Sequence, residues 1–214
     1  MSYPTIRILP GEDRRLRAGS PWLFSNELRM DAEAKAIEPG SAVRLMSPNG
    51  KIMGVAHFNP HSLIAARLLT RNKDATIDRA FVERRVARAL AIRERLFEAP
   101  YYRLVHAEAD GLPGLVVDRY GDVVVLQSNT AGMDRLEGVL AEVLTRLLSP
   151  RTIVARDDTG VRRLEGLPEE VRVLHGEMPE HLDLVENGLP FRADAGGGQK
   201  TGWFYDQRDN RAFA

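Results

Sequence analysis

Three turn clusters, Glu38-Pro39-Gly40, Ser47-Pro48-Asn49-Gly50 and Asn59-Pro60-His61-Ser62, cut the early part of the chain into segments too short for anything but strands. Each cluster joins a proline that fixes φ to a residue tolerant of the left-handed region, as tight turns require. Between them Thr5–Leu9, Ser41–Met46, Lys51–Phe58 and Ile64–Leu69 read as strands. Short strands at regular spacing predict a small closed or nearly closed β-barrel. At Thr76, read as an N-cap, the texture changes. Residues 77–98 place Val82, Val86, Ala89, Leu90, Leu96 and Phe97 on one helical arc and Arg84, Arg88 and Arg95 on the opposite face, which reads as solvated. Arg93 falls inside the apolar arc and needs an acidic partner if buried; Glu108 and Asp110 are the candidates.

Further on, Leu115–Asp118 and Val123–Gln127 flank Arg119-Tyr120-Gly121-Asp122, a hairpin signal with glycine available for positive φ. Leu136, Val139, Leu140, Val143, Leu144 and Leu147 repeat at helical spacing until Ser149-Pro150, and Thr152–Arg156 follows as a strand. This order predicts an α+β layer with helices on a mixed or antiparallel sheet. Asp183–Glu186 and Leu189–Ala193 flank Asn187-Gly188, the strongest hairpin signal in the chain, and Asp206–Arg211 opens a helix. The expected organisation is a barrel over 1–72, an α+β domain over 76–181, and a hairpin with an entry segment over 182–214.

A chain of 214 residues with 43% hydrophobic content can bury a core in two domains. The absence of cysteine excludes disulfides, thiolate metal sites and a cysteine nucleophile within these residues. No secretory signal and no apolar run near the ~20 residues needed to span a bilayer is present, so a cytoplasmic, non-membrane protein is expected. The net charge is zero, yet residues 1–72 carry 10 Lys+Arg against 6 Asp+Glu and the remainder 20 against 24. A basic module on a neutral chain is a weak sign of a polyanion partner.

Nucleotide-binding loops do not fit. Gly198-Gln199-Lys200-Thr201 lacks the glycine that a P-loop places before its lysine, and Thr201 stands where a dinucleotide loop needs glycine. His57 and His61 are separated by Pro60 and share no helical face, so metal binding is not expected. His106, Glu108 and Asp110 alternate along what reads as an extended stretch, better explained by pairing with Arg93 or Arg103 than by a metal or acid–base cluster. Arg14, Arg15 and Arg17 precede Trp22 and Phe24. The two aromatics read as barrel core, leaving the arginines and the turn residue His61 as candidate RNA contacts.

Gly11-x-x-Arg14-Arg15, Pro21-Trp22-x-Phe24, Pro39-Gly40 and Gly54-x-Ala56-x-Phe58-Asn59 together resemble the PUA-type RNA-binding domain that fronts certain bacterial 23S ribosomal RNA methyltransferases. Arg93-x-x-Leu96, the run from Glu108 through Asp110-Gly111-Leu112-Pro113-Gly114 to Asp118, Arg163-x-Glu165-Gly166-Leu167 and Glu186-Asn187-Gly188 extend the resemblance along the chain. The most specific stretch is Gly198 through Arg211, similar to the segment that enters that family's S-adenosylmethionine-binding domain. The family resembles cytosine-5 RNA methyltransferases, in which a cysteine thiolate attacks the pyrimidine and S-adenosylmethionine supplies the methyl group. The resemblance implies 23S ribosomal RNA as partner, and places Gln199, Lys200, Thr201, Gly202, Tyr205, Asp206, Gln207 and Arg208 at the edge of the cofactor site. It also implies a PUA-like barrel, an α+β middle domain and a terminal hairpin leading toward a Rossmann-like domain that is absent here, with no catalytic residue in this chain and no tight binding of S-adenosylmethionine. A terminal segment loosely held or packed on the middle domain is expected. A stand-alone RNA-binding adaptor is the alternative, and a homodimer is left open.

Overall fold

The computed structural model describes residues 3–195 and 202–213. Its first module is a five-stranded sheet in the order β1-β3-β4-β5-β2, where β1 is Thr5–Arg7, β2 Trp22–Leu23, β3 Ser41–Met46, β4 Ile52–Phe58 and β5 Ala66–Thr70. β1 runs parallel to β3 and the other pairs are antiparallel. An Ile8–Leu28 bridge draws the chain after β2 back against β1, so the sheet nearly closes on itself. Two short helices, α1 (Arg14–Arg17) and α2 (Ala32–Lys35), fill the connections. The interior is Ile6, Leu16, Leu23, Val43, Leu45 and Phe58 with their neighbours.

Trp22 and Phe24 are only half-buried, against the expectation that they form this core. Side chains alternate across a strand, so Leu23 points inward and its two aromatic neighbours point out.

The second module has the sheet order β10-β9-β8-β7-β6, with β6 Tyr101–His106, β7 Leu115–Tyr120, β8 Val123–Ser128, β9 Thr152–Asp157 and β10 Glu170–His175. β8 and β9 are parallel, joined through α4 (Ala131–Asp134) and α5 (Glu137–Leu148), as a parallel pair requires a crossover. The remaining pairs are antiparallel. α5 packs beside α3 (Arg79–Leu96), and the two cover one face of the sheet through Val82, Val86, Leu140 and Val143. A hairpin of β11 (His181–Glu186) and β12 (Leu189–Asp194) covers the other face. β8 is therefore buried along its whole length: Val124 and Leu126 face the helices while Val123 and Val125 face the hairpin. At the hairpin turn Asn187 (φ 53) and Gly188 (φ 78) both occupy the left-handed region, the pair that a two-residue turn between twisted strands demands.

Three sequence expectations are corrected. The α3 cap is Asp78, whose carboxylate accepts the Phe81 N–H at 2.8 Å, rather than Thr76. Leu96 lies exposed in the last turn, and Phe97, already extended, turns back to stack on Tyr102 at 5.4 Å. His106, Glu108 and Asp110 do not share an extended face, because Ala107–Asp110 is a 3-10 turn ended by Gly111 in the left-handed region. Asp110 instead receives both Arg93 nitrogens, at 2.9 and 2.7 Å, which meets the need that Arg93 carried. No helix among the described residues is long and apolar enough to cross a membrane.

Candidate functional site

Burial of Leu16 orients α1 and turns Arg14, Arg15 and Arg17 outward. Their charges are not equally available. Arg17 is bridged to Asp13 at 2.7 Å, and Arg15 lies 3.5 Å from Glu27 and over the Phe24 ring. Among the described residues Arg14 donates only to the Gly11 carbonyl, at 3.2 Å, and is exposed. His61 is exposed elsewhere, in the turn whose flanking residues Asn59 and Ser62 dock onto the second module.

That docking is centred on Glu165. Its carboxylate, almost fully buried, accepts from Asn59 Nδ2 at 2.9 Å, Ser62 Oγ at 3.0 Å, Arg67 at 3.3 Å and the Ala131 N–H at 3.4 Å. Nearby, Glu108 accepts the Trp22 indole N–H at 2.8 Å and pairs with Arg67 at 3.6 Å, so Arg67 links the two carboxylates. Glu165 ends a 3-10 turn, Arg162–Glu165, held by the fully buried Arg162. Arg162 donates to the carbonyls of Ser128 and Pro168, bridges Asp134 at 2.8 Å and lies 3.5 Å from Asp157. Asp157 in turn accepts the Ser128 N–H at 2.7 Å and neighbours Arg172 and Glu137. Burial, then Asp157, pushes Glu137 up to about 7.

His57 is buried against Gly132 in this seam. A Cβ on Gly132 would lie 2.0 Å from His57 Nδ1, so only glycine permits the approach. Burial, reinforced by the Arg135 charge, lowers His57 to about 4 from 6.5. The unfolded chain takes up this proton first. The His57 contribution to stability is therefore complete above about pH 6.5 and lost as pH falls toward 4, by about 3 kcal/mol from the size of the shift. The raised Glu137 titrates in the same window with the opposite sign, since a carboxyl raised in the fold stabilises at low pH. The diagnostic is a difference. His57→Leu should gain stability relative to the parent between pH 6.5 and 4, as followed by urea unfolding; a pH-independent difference would contradict the assignment.

Of the residues matched to a cofactor-site edge, Gly202, Tyr205, Asp206, Gln207 and Arg208 lie at the far side of the second module. Gln199, Lys200 and Thr201 fall outside the described residues. Gly202 precedes Trp203, whose indole donates to Glu186 at 3.0 Å. The Tyr205 hydroxyl donates to the Arg119 carbonyl at 2.8 Å, and its ring packs on Tyr120 at 5.5 Å. Burial, with Tyr120 and Asp118 beside it, raises the Tyr205 phenol far above its usual range. Arg208 donates to the Tyr101 carbonyl and lies over Phe97 at 4.5 Å, while Asp206 and Gln207 are exposed. Arg211, on α6 (Arg208–Phe213), grips the buried Glu186 through both oxygens. Burial pushes Glu186 up, but hydrogen bonds from Arg211 and Trp203 and the charges of Arg211 and Arg208 leave it below the usual carboxylate range. The described residues 203–211 are thus packed on the hairpin and the second module, one of the two arrangements expected.

Sequence reasoning did not single out the roles of Glu165, Arg162, Glu186 and Arg67. Glu165 and Glu186 did stand inside motifs carrying the family resemblance, which was the available signal. Among the described residues no group of His, Cys, Asp or Glu is arranged to hold a metal ion.

Residues 6–71 match the model of a PUA-like domain. A ribosomal RNA large subunit methyltransferase I from Aliivibrio fischeri strain MJ11 is 39% identical over 212 residues, 97% of this chain and 53% of the relative. The protein of that name from Shewanella amazonensis is 39% identical over 213 residues, again covering 53% of the relative. A solved Streptococcus mutans chain, described as a SAM-dependent methyltransferase, superposes with a TM-score of 0.78 at 18% identity, over 97% of this chain and 53% of that one. A second solved chain, described as a methyltransferase complexed with SAH, gives the same TM-score over 99% of this chain. The first module is a PUA-like domain, and the chain is similar along nearly all its length to ribosomal RNA large subunit methyltransferase I, spanning about half the length of the curated relatives it matches.

Proposed function

We propose that this chain is the RNA-holding part of an S-adenosylmethionine-dependent ribosomal RNA methyltransferase acting on cytosine C5 in 23S RNA. The observation that carries the reading is the likeness to ribosomal RNA large subunit methyltransferase I over 97% of the chain, with a PUA-like module at 6–71. Arg14, Arg15, Arg17 and His61 contact the RNA, with Arg14 the most available of the three arginines. Such contacts hold the substrate while the target base leaves its stack.

Gln199, Lys200, Thr201, Gly202, Tyr205, Asp206, Gln207 and Arg208 border the cofactor site. S-adenosylmethionine supplies the methyl group there. Within this chain the Tyr205 hydroxyl and one Arg208 nitrogen donate to its own carbonyls and Arg208 Nε lies 3.6 Å from Glu186, which fixes the course of these residues and leaves Asp206 and Gln207 outward. Cytosine-5 transfer needs a cysteine thiolate, and these 214 residues contain none. The chain alone therefore lacks that nucleophile, and we take its part to be RNA binding without tight binding of S-adenosylmethionine.

Two measurements test this. Filter binding to naked large-subunit ribosomal RNA should show Arg14→Glu with His61→Ala weakening affinity on the order of tenfold. Calorimetry with S-adenosylmethionine should give no tight binding. Unchanged RNA affinity in the double variant would contradict the contact assignment, and tight cofactor binding would contradict the division of labour.

A further inference from the structure

The solvated face of α3 is not uniform. Arg84 and Arg88 are exposed and have no carboxylate partner among the described residues, although acidic side chains stand nearby. Each of those acids is already engaged. Glu83 pairs with Arg146, Asp110 with Arg93, and Glu108 with Trp22 and Arg67. Between the two exposed guanidiniums sits Arg85, which is seated rather than free. It donates to the Leu69 carbonyl at 3.1 Å, lies over the Phe81 ring at 5.2 Å and rests against Gly111, where a Cβ would come within 2.7 Å of Nη1. Burial, and then the charges of Arg88 and Arg84, lower the Arg85 guanidinium below its usual range. Like charges are thus held together while the nearest carboxylates are bonded to other cations, an arrangement that favours an anion.

Two hollows flank the cluster. One of about 170 Å³ is walled by Arg85, Arg88 and Gly111 but also by the carboxylates of Glu108 and Asp110, which disfavour a phosphate there. The other, of about 270 Å³, is walled by Thr70, Asn72, Arg84, Arg85 and Arg88. The second reaches the end of β5 in the PUA-like module, so the arginines lie where the two modules meet.

We propose that Arg84, Arg85 and Arg88 form a second RNA-binding site, a cradle for backbone phosphates that continues the RNA path from the PUA-like module onto the second one. Guanidiniums suit this role because their planar forks match phosphate oxygens and stay charged. The site rests on the RNA-binding reading above, but uses residues outside the contacts assigned there.

The test is the salt dependence of binding to naked large-subunit ribosomal RNA by the 214-residue chain. Each lost phosphate contact should flatten the slope of log K against log salt by about 0.7 to 0.9. Arg84→Gln with Arg88→Gln is the main variant, since both side chains are exposed and their loss leaves the packing intact. The slope should fall by the amount of about two contacts, and Arg84→Lys with Arg88→Lys should restore most of it. Arg192→Gln, on the hairpin, should leave it unchanged. A parent slope retained by the glutamine variant overturns the cradle while the RNA-binding reading stands. An equal loss in Arg192→Gln overturns it too, by showing a response to net charge alone. No RNA binding by the parent chain overturns both.

Discussion

Replacing Glu165 with leucine should cost about 3–5 kcal/mol and uncouple the two modules, turning one cooperative thermal transition into two. The magnitude is that of removing one partner from a buried charged network. Leucine leaves Asn59 Nδ2, Ser62 Oγ and the Ala131 N–H without their carboxylate, and strands the half-buried Arg67 beside Glu108 alone. Asn59 and Ser62 are buried in the seam, so their nitrogen and hydroxyl regain full hydration by separation of the modules. Glu165→Gln keeps one acceptor oxygen and the side-chain shape, and should lose less than half as much. Calorimetric unfolding is the measurement. A single transition at the parent temperature in the leucine variant would show that the apolar packing around the seam, not the carboxylate, joins the modules.

Arg162→Met should be of comparable size but different in kind, because it acts inside the second module. Methionine fills the volume and removes five donors. The Ser128 and Pro168 carbonyls then lose a partner, and Asp157, wholly buried, keeps Arg172 as its ion-pair partner among the described residues. Asp157 is already raised by burial against the opposing pull of Arg162 and Arg172; without Arg162 it should rise further. A loss of about 3–5 kcal/mol corresponds to a fall in Tm on the order of 10 °C for a chain of this size. The 3-10 turn carrying Glu165 would lose its anchor, so Arg162→Met combined with Glu165→Leu should cost less than the sum of the two, as coupled residues do. Strict additivity would show that Arg162 does not position Glu165.

The sequence announces those parts of the fold whose periodicity or turn chemistry is local. β3 falls on Ser41–Met46 as read, and the Asn187-Gly188 turn lies where the pair predicts. β2, β6 and β10 escaped because β2 has two residues, while β6 and β10 are edge strands carrying Arg103, Arg172 and both flanking histidines. Edge strands need no continuous apolar run. Of the site, Arg93 and its acidic partner were legible because a charge inside an apolar arc demands one. Glu165 was not, because its four partners come from Asn59, Ser62, Arg67 and Ala131, and no local rule connects positions so far apart. The arginine face of α3 was visible as a stripe, but that its neighbouring acids are taken by others is a fact of three dimensions.

The most direct test of RNA holding is the salt titration of the unmodified chain against naked large-subunit ribosomal RNA. With Arg14, Arg84 and Arg88 each meeting a phosphate, log K should fall linearly with log salt with a slope of about −2 or steeper. A flat line, or no binding at low salt, would contradict the account.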